Sequence, residues 1–252
     1  MLSEPLVSVV KNLVGRFGYR LINASRRWGV DHLDDIFRIV GDPNRVREVF
    51  DVGANVGFTA NTYAQAFPKS RVFAFEPVLE SFNKLEKNTR TNLRIVPNHC
   101  ALGNFNGVTS CTLHDDSRNN SLIKGLKDHL HANSNRSEEV SVFTLDSVKE
   151  KLGVEIIDLL KIDTEGFDLA VLEGASETLR RREVNFVYCE FHHLLRRESA
   201  AQLGSLIEVA EFLNDHNYRF LTIYTDSVHG RESMGTYNAL FLMNKNDFNW
   251  RF

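Results

Sequence analysis

The chain has 252 residues, 42% of them hydrophobic, which is enough to bury a full core inside one α/β domain. Its 30 basic and 33 acidic residues leave a formal charge of −3 and no broad basic footprint for nucleic acid. Cys100, Cys111 and Cys189 are odd in number and free of C-x-x-C spacing, which argues against a disulfide framework or a thiolate zinc site. A reducing cytoplasm is the simplest home.

At the amino terminus the apolar run Leu6 to Val10 is broken by Lys11 and has no positive region before it, so no signal peptide is expected. No stretch is long enough to span a bilayer. Lys11, Arg16, Arg20, Arg26 and Arg27, interleaved with Phe17, Tyr19 and Trp28, make the first residues basic and partly amphipathic. That pattern suits an ordinary packing helix better than the alternative of a peripheral membrane contact. Residues 1–48 are expected to form a helical segment packed on the core, and residues 49–252 a single globular unit.

The stretch VFDVGANVGFTA, Val49 to Ala60, reads as a buried strand over Val49–Val52, a glycine-punctuated turn, and a helix over Phe58–Phe67. Gly53 and Gly57 let the backbone turn sharply and approach a ligand. A dinucleotide fingerprint counted from Gly53 would need glycines where Asn55 and Phe58 stand. The leading carboxylate, Asp51, suits a cofactor with a cationic amino acid portion, such as S-adenosylmethionine, better than a diphosphate. A second strand, Val72–Phe75, ends at Glu76, 25 positions after Asp51, where an acid can accept hydrogen bonds from both ribose hydroxyls.

Further along, a helix over Leu79–Asn88 and a strand over Leu93–Val96 continue the alternation of a doubly wound parallel sheet. Two more strands, Val108–Leu113 and Val140–Leu145, flank a polar stretch from His114 to Glu139. Its length marks either a substrate lid or plain disorder, with Asn119, Asn120 and Ser121 as candidate sugar-binding groups. A helix over Asp146–Leu152 then leads to the strand Ile157–Ile162, followed by Asp163 and Glu165. Ligands in open α/β sheets bind outside the carboxyl ends of the strands, so these acids should share one crevice with Asp51 and Glu76. A helix over Asp168–Arg181, a strand over Asn185–Glu190, a helix over Leu203–Asn214, and strands over Arg219–Tyr224 and Tyr237–Met243 complete the chain.

The segments FDVGANVG, FAFEP, ALGN (Ala101 to Asn104), FTLDS (Phe143 to Ser147), LLKIDTEGFD and LEGA (Leu172 to Ala175) occur in the order seen in the FkbM family of S-adenosylmethionine-dependent methyltransferases, which the chain resembles from Val49 to Glu190. The K-I-D-T-E-G-F-D string makes the resemblance specific. It implies a Rossmann-like class I fold: a seven-stranded, mostly parallel sheet with helices on both faces and an antiparallel final strand. It also implies methyl transfer to a hydroxyl of a sugar, glycan or glycosylated product. The same chemistry on a lipid, polyketide or other small molecule is the alternative.

On this reading Asp51, Gly53, Asn55 and Gly57 line the methionine side of the cofactor and Glu76 the ribose. Asn98 and Ala101 take the adenine edge, and Asp163 borders both cofactor and acceptor. A sugar hydroxyl is a weak acid, so a base or metal is expected. Asp163 is the first candidate and Glu165 the second. His192 or His193 is the third, since histidine titrates near neutral pH and only one of two neighbours on an extended chain can face the cleft. Asp163, Glu165 and Glu190 could also bind Mg²⁺, but sequence gives no ligand geometry, so no metal ligands are assigned. A nicotinamide-dependent oxidoreductase is disfavoured by Asn55 and Phe58, and a binding protein without turnover by the intact acids. Oligomeric state is not legible.

Overall fold

The computed structural model describes residues 28–114, 122, 136–191, 205–227 and 236–244. Among them the chain runs through α1 (His32–Val40), β1 (Glu48–Val52), α2 (Phe58–Ala66), β2 (Arg71–Phe75), α3 (Leu79–Thr89), β3 (Ile95–Asn98), β4 (Ala101–Leu102), β5 (Gly107–Thr112) and β6 (Ser137–Phe143). It continues through α4 (Leu145–Leu152), β7 (Ile157–Ile162), α5 (Asp168–Glu173), α6 (Ser176–Arg180), β8 (Val184–Phe191), α7 (Leu206–Asp215), β9 (Tyr218–Ser227) and β10 (Thr236–Met243).

Seven strands form one sheet in the order β3-β2-β1-β7-β8-β10-β9. The first five in that order are parallel, and β10 runs antiparallel between β8 and β9. Strands β2 and β3 extend the sheet to one side of β1, and β7 and β8 to the other. The gap between β1 and β7 is therefore the switch point, above which ligands bind in such sheets.

Burial explains why these residues form these strands. Every residue of β7 and β8 is buried, as parallel strands covered on both faces require. Phe50, Val52, Phe73, Phe75, Leu160, Ile162 and Val187 pack with Leu145, Leu172, Leu179 and Leu213 of α4 to α7. Val49, Val72, Ala74, Leu159, Phe186 and Tyr188 face the other way, onto Ile36, Ala60, Tyr63 and Leu85 of α1 to α3. At the amino-terminal end of β7, Asp158 accepts from the backbone N–H of Arg47 (2.6 Å) and Glu48 (3.0 Å) and from Asn185 Nδ2 (2.9 Å), tying three strands together.

Four elements differ from expectation. The third strand starts at Ile95 rather than Leu93, because Leu93 is 93% exposed in the preceding turn, and it carries Pro97 beside Ala74. The helix expected over Asp168–Arg181 is two helices. A Cβ on Gly174 would lie 1.9 Å from Gly103 O, so the chain is pinched there, and Asp146 accepts from Glu177 N and Thr178 N at the start of the second helix. Strands β5 and β6 stand outside the main sheet and form a second one with the two-residue β4, in the order β4-β6-β5. Leu145 opens α4 instead of closing β6, because Thr144 Oγ1 accepts from Ser147 N as its cap. Residues 1–27, Asn119, Asn120, Ser121, His192 and His193, and with them most of the expected amino-terminal segment and lid, lie outside the described residues.

Candidate active site

The first wall of the crevice is the turn after β1. Gly53, Asn55 and Gly57 all have positive φ, at 78°, 47° and 90°. Asparagine tolerates this left-handed region better than most side chains, which explains Asn55 where the dinucleotide pattern wants glycine. Gly53 N and Ala54 N both donate to Phe75 O, fastening the turn to the end of β2. The space beside Gly53 is filled by the chain itself: a Cβ there would lie 1.8 Å from Asp163 O, and one on Gly57 would lie 2.7 Å from Leu85 Cδ1. Gly53 is thus demanded by backbone packing inside the protein and Gly57 by its φ of 90°, and neither by itself marks a ligand's approach.

Beneath the turn sits a buried charge cluster that sequence reasoning missed. Asp51 on β1 and Lys161 on β7 are register partners, and Lys161 Nζ lies 3.0 Å from Asp51 Oδ1. The same ammonium donates to Gly53 O at 3.2 Å and lies 3.4 Å from Asp163 Oδ2. Burial disfavours the Lys161 charge, but Asp163 and Asp51 together outweigh it and hold its pKa above that of an ordinary lysine. Asp51 has no exposed surface, so any influence of its carboxylate on a ligand runs through Lys161 and the turn. Around this pair lie Tyr63, and His32 stacked on Tyr188 at 4.1 Å with its Nε2 3.1 Å from Tyr63 Oη. Burial lowers the His32 pKa to about 4, so it is neutral there.

Glu76 ends β2 and is 6% exposed. Its Oε2 accepts from Asn55 N and its Oε1 from Val78 N, both at 2.9 Å, so the carboxylate is clamped between the glycine turn and the start of α3. Burial raises its pKa to about 7 against those two hydrogen bonds. Leu122, from the expected lid, packs on the cluster of Val78, Cys111 and Val140 next to this acid. Asn98 is brought alongside, since Glu76 N donates to Asn98 O and Asn98 Nδ2 is engaged by Val96 O. Ala101 is 5% exposed and paired with Val142 in the small sheet, which leaves it only a methyl edge and a committed backbone.

The opposite wall is acidic. Asp163 follows β7 with its side chain 40% exposed, while Glu190 on β8 is 6% exposed. Ligand atoms of Asp163, Glu165 and Glu190 all lie within 4.8 Å of one another. Burial, then the charges of Asp163 and Glu165, push the Glu190 pKa well above the carboxylate range. Glu165 and Gly166 have positive φ, 52° and 95°, and bend the loop so that Asp168 accepts from Gly166 N at 3.2 Å and Thr164 N at 3.4 Å. Burial and the nearby Asp163 raise the Asp168 pKa to about 7.

The fold therefore brings Gly53, Asn55, Glu76, Asn98, Asp163, Glu165 and Glu190 to one rim, keeps Asp51 buried beneath it, and adds Lys161 and Asp168. A lysine within the apolar run LLKID was the available signal for the first. The family model described as the Methyltransferase FkbM domain matches residues 51–220. The chain belongs to the FkbM methyltransferase family. This FkbM methyltransferase is 27% identical over 194 residues to the hexuronic acid methyltransferase AglP of Haloferax volcanii, covering 75% of each chain. It is 26% identical over 171 residues to the 2-O-methyltransferase NoeI of Sinorhizobium fredii, covering 64% of this chain and 70% of NoeI. In fold it is similar to the N-methyltransferase NodS of Bradyrhizobium japonicum, with a TM-score of 0.50 at 8% identity, covering 85% of this chain and 95% of that one. The enzyme is an S-adenosylmethionine-dependent methyltransferase with a class I fold.

Proposed function

We propose that the enzyme methylates a hydroxyl of a sugar, a glycan or a glycosylated product. The observation that carries this reading is the cluster of Asp163, Glu165 and Glu190, whose carboxylate oxygens lie within 4.8 Å of one another with the Asp163 side chain 40% exposed. Together they offer several acceptor oxygens to the hydroxyls of a polyol, at the ends of β7 and β8 beside the switch point. Two relatives whose names describe a hexuronic acid methyltransferase and a 2-O-methyltransferase support the same chemistry.

The site suits the cofactor by the chemistry of its groups. The Glu76 carboxylate, held from behind by two backbone N–H groups, keeps lone pairs for a vicinal diol. The acids at the rim suit a cation. Glu76 would hold the ribose, the Gly53 to Gly57 turn the methionine portion, and Asn98 with the methyl edge of Ala101 the adenine. When bound, S-adenosylmethionine supplies a sulfonium methyl that passes to the acceptor oxygen while sulfur keeps the bonding pair. Asp163 receives the proton that the acceptor hydroxyl loses, Glu165 orients a neighbouring hydroxyl, and Glu190 fixes the Asp163 carboxyl. Positioning of this kind is worth up to about 7–11 kcal/mol of barrier.

His192 stays a proposed alternative base from the segment after β8. Mg²⁺ at Asp163, Glu165 and Glu190 would lower the acceptor's pKa, and that is the one chemistry a metal would add here. All three cysteines are buried free thiols, and no described helix is long and apolar enough to cross a membrane. The thiols support the reducing cytoplasm as the proposed location. The deciding experiment is labelled methyl transfer to free sugars, glycans and lipid-linked acceptors, with and without EDTA. Transfer to carbohydrate is the expected result; transfer only to non-carbohydrate acceptors overturns the reading.

A further inference from the structure

We propose that Lys161 is a positioning residue that sets the cofactor turn and the proton acceptor against each other across the β1/β7 switch point. This rests on the preceding reading for Asp163 and for the turn. One ammonium reaches three oxygens from three places: Asp51 Oδ1 at 3.0 Å under the floor, Gly53 O at 3.2 Å in the turn, and Asp163 Oδ2 at 3.4 Å on the acceptor side. It is the only described group that touches all three. The ammonium donates to the Gly53 carbonyl and lies within ion-pair distance of both carboxylates, so one charge serves three places in the fold. Moving any one of the three oxygens disturbs the other two.

The surroundings give the contact its strength. Lys161 is 4% exposed and Asp51 is fully buried, so the charges are poorly screened by water. Tyr63, 1% exposed, closes the cluster from α2, and His32 closes it from α1 through its 3.1 Å contact with the Tyr63 hydroxyl. The backbone crowding at Gly53 and Asp163 O stops the turn from drifting sideways. What it leaves free is the tilt of the Gly53 carbonyl and the rotation of the Asp163 carboxylate, and Lys161 takes hold of both.

A purely structural role would be to neutralise Asp51. Replacing Lys161 alone confuses the two roles, since it leaves a buried carboxylate unpaired and destabilises the fold. The test therefore compares Asp51→Asn with Asp51→Asn/Lys161→Met, which removes both buried charges together. The readouts are urea unfolding, S-adenosylhomocysteine affinity by calorimetry, and kcat with KM for an accepted substrate. The double variant should unfold at nearly the same urea midpoint as Asp51→Asn. It should bind S-adenosylhomocysteine about tenfold more weakly and lose roughly 30-fold or more in kcat, with acceptor KM little changed, as small misplacements at a reacting centre cost. Equal affinity and equal kcat in the two variants would overturn the proposal.

Lys161→Arg in the otherwise native chain supplies a second measurement that does not depend on the double variant folding. It keeps the positive charge beside Asp51 but spreads it over a planar fork. Stability should be largely kept while kcat falls about tenfold; unchanged kcat would count as refutation. The calorimetric arm needs no acceptor, so failure to find a carbohydrate substrate and failure of the Lys161 proposal give separate results.

Discussion

Gly53 and Asp163 meet backbone to backbone: the turn after β1 lies so close to the end of β7 that a Cβ on Gly53 would fall 1.8 Å from Asp163 O. With φ at 78°, the position also disfavours any L side chain. Gly53→Ala should therefore destabilise the fold by about 2–5 kcal/mol, combining left-handed strain with overpacking. Urea unfolding of the full chain measures it. A loss under about 1 kcal/mol would mean that the two strand ends are not in contact.

Asp163→Asn keeps the shape of the side chain and removes its basicity. Turnover should fall about 10²–10⁴-fold, the usual contribution of a positioned base, while S-adenosylhomocysteine binds almost as before. Steady-state kinetics beside calorimetry separate the two effects. Undiminished turnover would pass the role to Glu165 or His192.

Glu76 carries a pH dependence whose sign can be worked out. Its pKa is raised from 4.5 to about 7 in the folded protein. Between those values the folded state holds a proton that the unfolded chain has lost, so this group's stabilisation is full below pH 4.5 and fades as pH rises through 7. A ribose diol needs the ionised form, so cofactor affinity should move the opposite way and be about tenfold weaker at pH 6 than at pH 8. Calorimetry across that range reads the slope, and Glu76→Gln should flatten it. A slope that survives the substitution belongs to another group, with Asp168 the first to check, since its pKa is also about 7.

Asp158 sits at the far end of β7 from the crevice and accepts three hydrogen bonds from β1, its leading residue Arg47, and β8. Asp158→Ala should cost about 3 kcal/mol or more in unfolding free energy, since bonds to a charged group are worth about 1.5–3 kcal/mol each and the loss is not additive. The folded fraction should retain its kcat. A large fall in kcat at full folding would show that the two ends of the sheet are coupled.

The strands that build the crevice were legible because burial on both faces writes itself as an unbroken apolar run. Val49–Val52 and Ile157–Ile162 fall within a residue of β1 and β7. Where a contact far along the chain decides the structure, the sequence was silent. Gly174 breaks a helix because Gly103 passes beneath it, and β4 has two residues, too few for any pattern. The acids of the site were visible as strand-end carboxylates, but their electrostatic states were not. The lysine in LLKID hints at a buried charge, but no local pattern names Asp51 as its partner or tells how far burial pushes the Glu190 pKa up. Glycine misled in a subtler way, since Gly53 and Gly57 signal a tight turn truthfully, yet Gly53 owes its small size to the Asp163 backbone and Gly57 its identity to a left-handed φ.

The two outer margins of the large sheet are also worth following. On one side β3 carries Pro97, which has no N–H to offer, and on the other β9 pairs with β10 through two slips of register. A foreign strand trying to lengthen the sheet would meet a missing donor at one border and an uneven ladder at the other. Both borders thereby discourage fibre-like stacking of one sheet on another, edge to edge.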